Sequence, residues 1–166
     1  MNTKLFFDFT VDTATNSIHI RREFAAGRPT VWDCYTKSEL LDQWWMPKPW
    51  KSRTKTMDFR EGGKWHYAAV GPNGEEHWSI AEYVTIEPQQ LFTANDAFGD
   101  ADGTVNPHMP QSVWTMNFSD SGAHTLVYGI MQFPDLAQLE QTIAMGFKEG
   151  LTMAMDNLDA MLREAR

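Results

Sequence analysis

The feature that most restricts how this chain can fold is a change of period at Pro134-Asp135. Upstream, apolar residues return at every second position. Downstream, Leu136, Leu139, Ile143, Phe147, Leu151, Ala154, Leu158, Met161 and Leu162 return every three or four. That spacing predicts one long amphipathic helix of about seven turns. A sheet meander followed by one such helix can bury the helix stripe only against the face of the sheet. The sheet must then curve, and a curved sheet gripping a helix can leave a gap between them.

The upstream segments fill in the rest. Residues 6–11 and 18–24 alternate apolar and polar on either side of Asp12-Thr13-Ala14-Thr15-Asn16, an opening strand or hairpin. Pro29 suits the first turn of a short helix carrying Val31, Trp32 and Tyr35. Ser38 and Glu39 cap a second, with Leu40, Leu41, Trp44 and Trp45, which Pro47 and Pro49 end. From Arg53 the period is two again: 56–59, 64–70, 78–86, 91–98, 112–118 and 125–133, divided by turns such as Gly71-Pro72-Asn73-Gly74 and Asp120-Ser121-Gly122. The expected architecture is α+β: a curved antiparallel sheet of six to seven strands around a long C-terminal helix, with two short helices after the first strand or hairpin. Gly62 and Gly63 are expected to supply positive φ in a tight turn. The polar segment 99–110 has the length of a site lid.

With 166 residues the chain suits a single domain, 1–166, that needs no disulfide or metal to fold. A 13% aromatic share, with 7 Trp and 10 Phe, means that large rings either fill a big core or line a cavity. The net charge of −8 argues against nucleic-acid and anionic-membrane partners. Cys34 stands alone, which excludes an internal disulfide and fits a reducing compartment. The N-terminal apolar run is too short for a secretory signal, so a cytoplasmic location is the expectation. His19, His66, His77, His108 and His124 fall on separate elements without ligand spacing, and no phosphate loop is present; no metal or cofactor is expected.

Several residues carry a functional reading beside a structural one. Trp44 and Trp45 point about 100° apart on a helix, so one serves the core and the other a cavity rim. Trp65, Tyr67 and Ala69 share a strand face that the two rings turn inward, leaving His66 toward solvent; Tyr67 then either orients a polar ligand head or bonds a core neighbour. On the next strand Trp78, Ile80, Glu82, Val84 and Ile86 form the more apolar set. Glu82, if inward, is a carboxylate under aromatic walls and a weak candidate general acid or base; otherwise it pairs across the sheet. Gly146 and Gly150 lie on one stripe of the final helix, either for close approach or to leave space. Met145, Met153 and Met155 flank them as adaptable filler or contact.

Certain segments sharpen the picture. Leu40-Leu41-Asp42-Gln43-Trp44-Trp45-Met46-Pro47 resembles a Trp-Trp-Gly-Pro signature with Met46 in place of glycine. Asp58-Phe59-Arg60-Glu61-Gly62-Gly63-Lys64-Trp65 is similar to an Asp-x-Arg-x-Gly-Gly-x-aromatic turn, and Gly71-Pro72-Asn73-Gly74 to the hairpin after it. Ile86-Glu87-Pro88-Gln89-Gln90-Leu91-Phe92 resembles Ile-x-Pro-x-x-Leu-aromatic, and Gly146-Phe147-Lys148-Glu149-Gly150-Leu151 with Asn157-Leu158 resembles a helix signature. In this order they resemble the Hsp90-ATPase-activator-like branch of the START-like (Bet v 1-type) proteins, which implies the helix-grip fold.

The resemblance implies three roles. The first is binding of a small hydrophobic or aromatic molecule between sheet and final helix, with Trp45, Trp65, Tyr67, Trp78, Trp114, Phe147 and Met153 as walls. The second is a protein-interaction module with a chaperone partner; the chaperone-activating relatives carry an additional N-terminal domain without counterpart in these residues, which weighs against it. The third is an enzyme of hydrolase or cyclase type acting through Glu82 or a Tyr67–histidine pair. A homodimer through the N-terminal strand edge stays open.

Overall fold

The computed structural model describes residues 5–164. Residues 1–4, part of the terminus weighed above as a secretory leader, lie outside the described residues. Eight antiparallel strands form one curved sheet: β1 (Phe7–Asp12), β2 (Ser17–Phe24), β3 (Lys51–Met57), β4 (Lys64–Val70), β5 (Glu76–Glu87), β6 (Leu91–Gly99), β7 (Gln111–Ser121) and β8 (His124–Gln132). Their spatial order is β1-β2-β8-β7-β6-β5-β4-β3, a meander whose last strand returns to pair with the opening hairpin. The expected six to seven strands become eight because both strands of the opening hairpin pair in the sheet; β3 is also longer than expected, beginning at Lys51 rather than residue 56. Its polar Lys51-Ser52-Arg53-Thr54-Lys55 run suits a sheet edge, where one side of the ladder faces water.

Between β2 and β3 lie α1 (Arg28–Thr36), with Pro29 in its first turn, and α2 (Ser38–Trp44). Asp135 caps the C-terminal helical region, its carboxylate accepting from the Gln138 N–H at 2.9 Å. That region is two helices, α3 (Leu136–Ala144) and α4 (Phe147–Glu164), instead of one. Gly146 divides them. Its φ of +85° is the left-handed conformation that ends helices, and its N–H bonds the Ile143 carbonyl at 3.1 Å. Gly146 therefore makes a corner, whereas Gly150 sits inside α4 with only the Pro47 ring edge near it.

The core fills the hollow of the sheet. Ile18, Ile20 and Phe24 of β2, Trp65 and Tyr67 of β4, Ala81 and Tyr83 of β5, and Trp114, Met116 and Phe118 of β7 face Leu139, Ala154, Met155, Leu158 and Leu162 of the C-terminal helices. Each fully buried aliphatic chain here contributes about 1.5–3 kcal/mol. Around α2 the packing is polar as well. Asp42 accepts from Ser52 Oγ (3.1 Å), Thr54 Oγ1 (2.8 Å) and the Thr54 N–H (3.2 Å), pinning α2 to β3. Asn157 of α4 donates its amide to the Met46 carbonyl at 3.0 Å.

At the β3–β4 turn, Gly62 has φ +85° while Gly63 does not; a Cβ on Gly63 would lie 2.0 Å from the Asp58 carbonyl oxygen, so close approach is what demands the second glycine. The segment 99–110 does not cover the hollow. It folds over the opposite, outer face, where the Asn106 N–H bonds the Phe98 carbonyl (2.8 Å) and Lys55 Nζ bonds the Ala101 carbonyl (2.6 Å).

Candidate functional site

Register decides which side chains reach the hollow. Trp65 stands opposite Ala81 and Tyr67 opposite Ser79, while Lys64, His66 and Ala68 stand opposite Glu82, Ile80 and Trp78. The inward set of β5 is thus Ser79, Ala81 and Tyr83. Trp78 and Glu82, read above as cavity wall and weak catalytic candidate, belong to the outer face. Trp78 packs there on His66 (ring centroids 4.8 Å apart) under the guanidinium of Arg53. Glu82 keeps 47% of its side chain exposed and lies 3.9 Å from Lys64 Nζ, the cross-strand pairing that was its alternative. His66 is buried rather than solvent-facing, its Nε2 hydrogen-bonded to the Asp100 carbonyl at 2.8 Å beneath segment 99–110.

On the inner side Trp45, Trp65, Tyr67 and Trp114 surround a small chamber with Tyr35, Leu41, Ala81, Tyr83, Phe92, Ala94, Asp96 and Met116; its volume is about 50 Å³. A second, of about 20 Å³, adjoins it beneath α4, between Ile20, Arg22, Leu151 and Met155, and shares Tyr35, Trp45, Trp114 and Met116 with the first. These shared side chains partition one hollow into two lobes. The Trp44/Trp45 pair resolves accordingly: Trp44 is 1% exposed and donates its indole N–H to the Cys34 carbonyl (2.9 Å), while Trp45 faces both lobes. Phe147 touches the rim, its ring 6.1 Å from that of Trp114 and 6.2 Å from that of Phe9, and lines neither lobe. Met153 points away, 46% exposed; two positions on, Met155 is the buried methionine that lines the second lobe.

The aromatic wall carries oriented polar atoms. Trp45 Nε1 donates to Tyr67 Oη at 3.1 Å, and Trp65 Nε1 donates to Thr54 Oγ1 at 2.9 Å, joining the Asp42 cluster. Trp65 and Tyr67 stack at 3.8 Å. Burial pushes the hydroxyls of Tyr35, Tyr67 and Tyr83 well above the ordinary tyrosine range, so they are protonated at any working pH.

Asp96 is the functional-looking residue that the sequence reading missed. It sits on β6 between Ala81 of β5 and Ser112 of β7, facing the chamber. Part of its surface stays accessible, because it also borders a groove on the other side of the sheet. Its carboxyl has nevertheless lost enough hydration that the pKa is pushed up to about 7, against a smaller opposing effect of the Trp114 indole N–H, which donates to Oδ2 at 3.3 Å. The signal was present in the alternation Phe92, Ala94, Asp96, with the first two buried. Among the described residues no cluster of His, Cys, Asp or Glu is placed to hold a metal ion, and no histidine lines either lobe, so a Tyr67–histidine pair does not form. Among the described residues no helix is long and apolar enough to cross a membrane.

Comparison with known proteins agrees with this architecture. The crystal structure of protein Ms6760 from Mycobacterium smegmatis superposes with a TM-score of 0.88 at 25% identity, over 98% of this chain and 100% of that one. The solution structure of a protein from Arthrobacter aurescens gives 0.89 at 27% identity, over 95% and 91%. One from Staphylococcus epidermidis gives 0.82 at 28%, over 95% of each chain. No match was found among curated proteins. Residues 25–163 match the family described as activator of Hsp90 ATPase homolog 1-like protein, and the chain belongs to that family.

Proposed function

We propose that this protein binds a small hydrophobic or aromatic molecule in the two-lobed hollow between sheet and helices. The observation that carries the reading is the chamber itself: an aromatic wall closed around one carboxyl, in a position where a purely structural core would place another apolar side chain. As it stands the chamber is smaller than a benzene-sized site of about 150 Å³, so a ligand must displace part of the partition. Met116 is the side chain suited to yield. It is unbranched, and it rests on Gly129, where an added Cβ would meet its sulfur at 3.0 Å.

Thermal-shift and native mass-spectrometric screens against aromatic metabolites, amines and fatty acids test the reading. A stoichiometric adduct that is lost when Ala81→Leu fills the chamber supports it. A broad panel without any binder overturns it. The family description favours a second reading, a protein-interaction module acting on a chaperone ATPase. Pull-down of an Hsp90-type chaperone and its ATPase rate with and without this protein decide that reading separately.

A further inference from the structure

Asp96 is the one carboxylate lining the inner chamber, and the three indoles and three phenols around it supply no positive charge. Among the described residues its hydrogen-bond donor is the Trp114 indole alone, at a long 3.3 Å. The cations that line the adjoining lobe and the outer groove are engaged elsewhere. Arg22, in the adjoining lobe, pairs with Asp156 at 2.9 Å, and Lys64, on the outer groove, lies beside Glu82 at 3.9 Å. An ionised carboxylate left in such a place is costly unless something cationic joins it. Aromatic rings favour the same partner, since their negative faces attract organic cations and repel anions.

Resting on the ligand-binding reading above, we infer that the hollow selects molecules bearing a protonated amine, with Asp96 as counter-ion and Trp45, Trp65, Tyr67 and Trp114 as the aromatic surround. Fatty-acid carboxylates are then poor ligands despite the apolar walls. Occupation is also linked to pH. The amine requires the ionised form of Asp96, and the titratable groups facing it are Tyr67 of β4, Tyr83 of β5 and Tyr35 of α1, all neutral, with Lys64 and Glu82 beyond the sheet.

Benzylamine, benzyl alcohol and benzoate are matched in shape and differ in charge, and indole fluorescence reports their binding to the intact protein. The expected order at about pH 8 is amine over alcohol by about tenfold or more, with benzoate weakest. Asp96→Asn should weaken benzylamine by about tenfold and leave benzyl alcohol within about twofold. If that variant fails to fold, the wild-type protein still decides: benzylamine affinity should rise about tenfold from pH 5.5 to 8, while benzyl alcohol stays flat. Alcohol or benzoate binding as tightly as the amine, or a pH-independent amine, overturns the inference and leaves the cavity reading intact. Failure of all three probes together with the broad panel overturns both.

Discussion

Asn157 of α4 donates to the backbone carbonyl of Met46, 111 positions earlier, at 3.0 Å. The bond ties α4 to the segment that holds the Trp45 wall, because Met46 directly follows Trp45 and α2 is in turn pinned to β3 through Asp42. Asn157→Ala leaves a part-buried carbonyl without its donor, at a cost of about 1–2 kcal/mol. Chemical denaturation should show that loss as a lower midpoint with unchanged slope. An unchanged midpoint would mean that water replaces the amide.

The glycines predict opposite outcomes. Gly63→Ala puts a Cβ 2.0 Å from a backbone oxygen, in the β3–β4 turn, which the Gly62 N–H ties to the Tyr83 carbonyl of β5. It should lower stability by about 3 kcal/mol or more, or prevent folding. Gly150→Ala meets only Pro47 Cγ at an ordinary 3.8 Å in a helix interior, and should raise stability by up to about 1 kcal/mol. Thermal melts of the two variants check both signs.

These contacts show what the sequence made legible. The signature segments hold the contacts that admit a single residue type: Asn157 of α4 on Met46, Gly63 against Asp58 within one turn, Trp44 of α2 on Cys34 of α1. Such constraints act through single residue types, so they survive as short patterns. Facing was harder to read on β5. Segment 99–110 covers the outer side of the sheet, so Trp78 and Ile80 are partly or wholly buried there while Ala81 and Tyr83 are buried on the other side. A strand covered on both faces has no polar side to mark solvent, and the more apolar parity, Trp78 to Ile86, misled. The break at Gly146 was hidden because Ile143 and Phe147 keep the helical interval straight across it.

Cys34 is 3% exposed, and desolvation raises its pKa to about 11. Thiolate is then scarce at neutral pH and shielded where it forms. A thiol reagent at about pH 7.5 should label the native protein at least about a hundredfold more slowly than the urea-unfolded chain. Comparable rates would show that α1 opens readily from the sheet.

Asp96 makes the folded protein prefer a proton that the unfolded chain releases. Its folded pKa, about 7, stands above the ordinary carboxylate value of 3.8. Between those values the native state holds one more proton than the unfolded state, so this group's contribution to stability is fully present below the unfolded pKa and is lost as pH rises through the folded one. Asp96→Asn removes the ionisation while keeping the shape. It should therefore stabilise the protein at about pH 8, by on the order of 1–3 kcal/mol, and change little at about pH 4. Trp114→Phe acts in the opposite sense on the same group. It deletes the indole N–H that favours the charged form, so the carboxyl should titrate above about 7, as read from its carboxyl-carbon resonance. A carboxyl that titrates near 4 in the wild-type protein would mean that water reaches the chamber freely, and the pH dependence assigned to ligand capture would vanish with it.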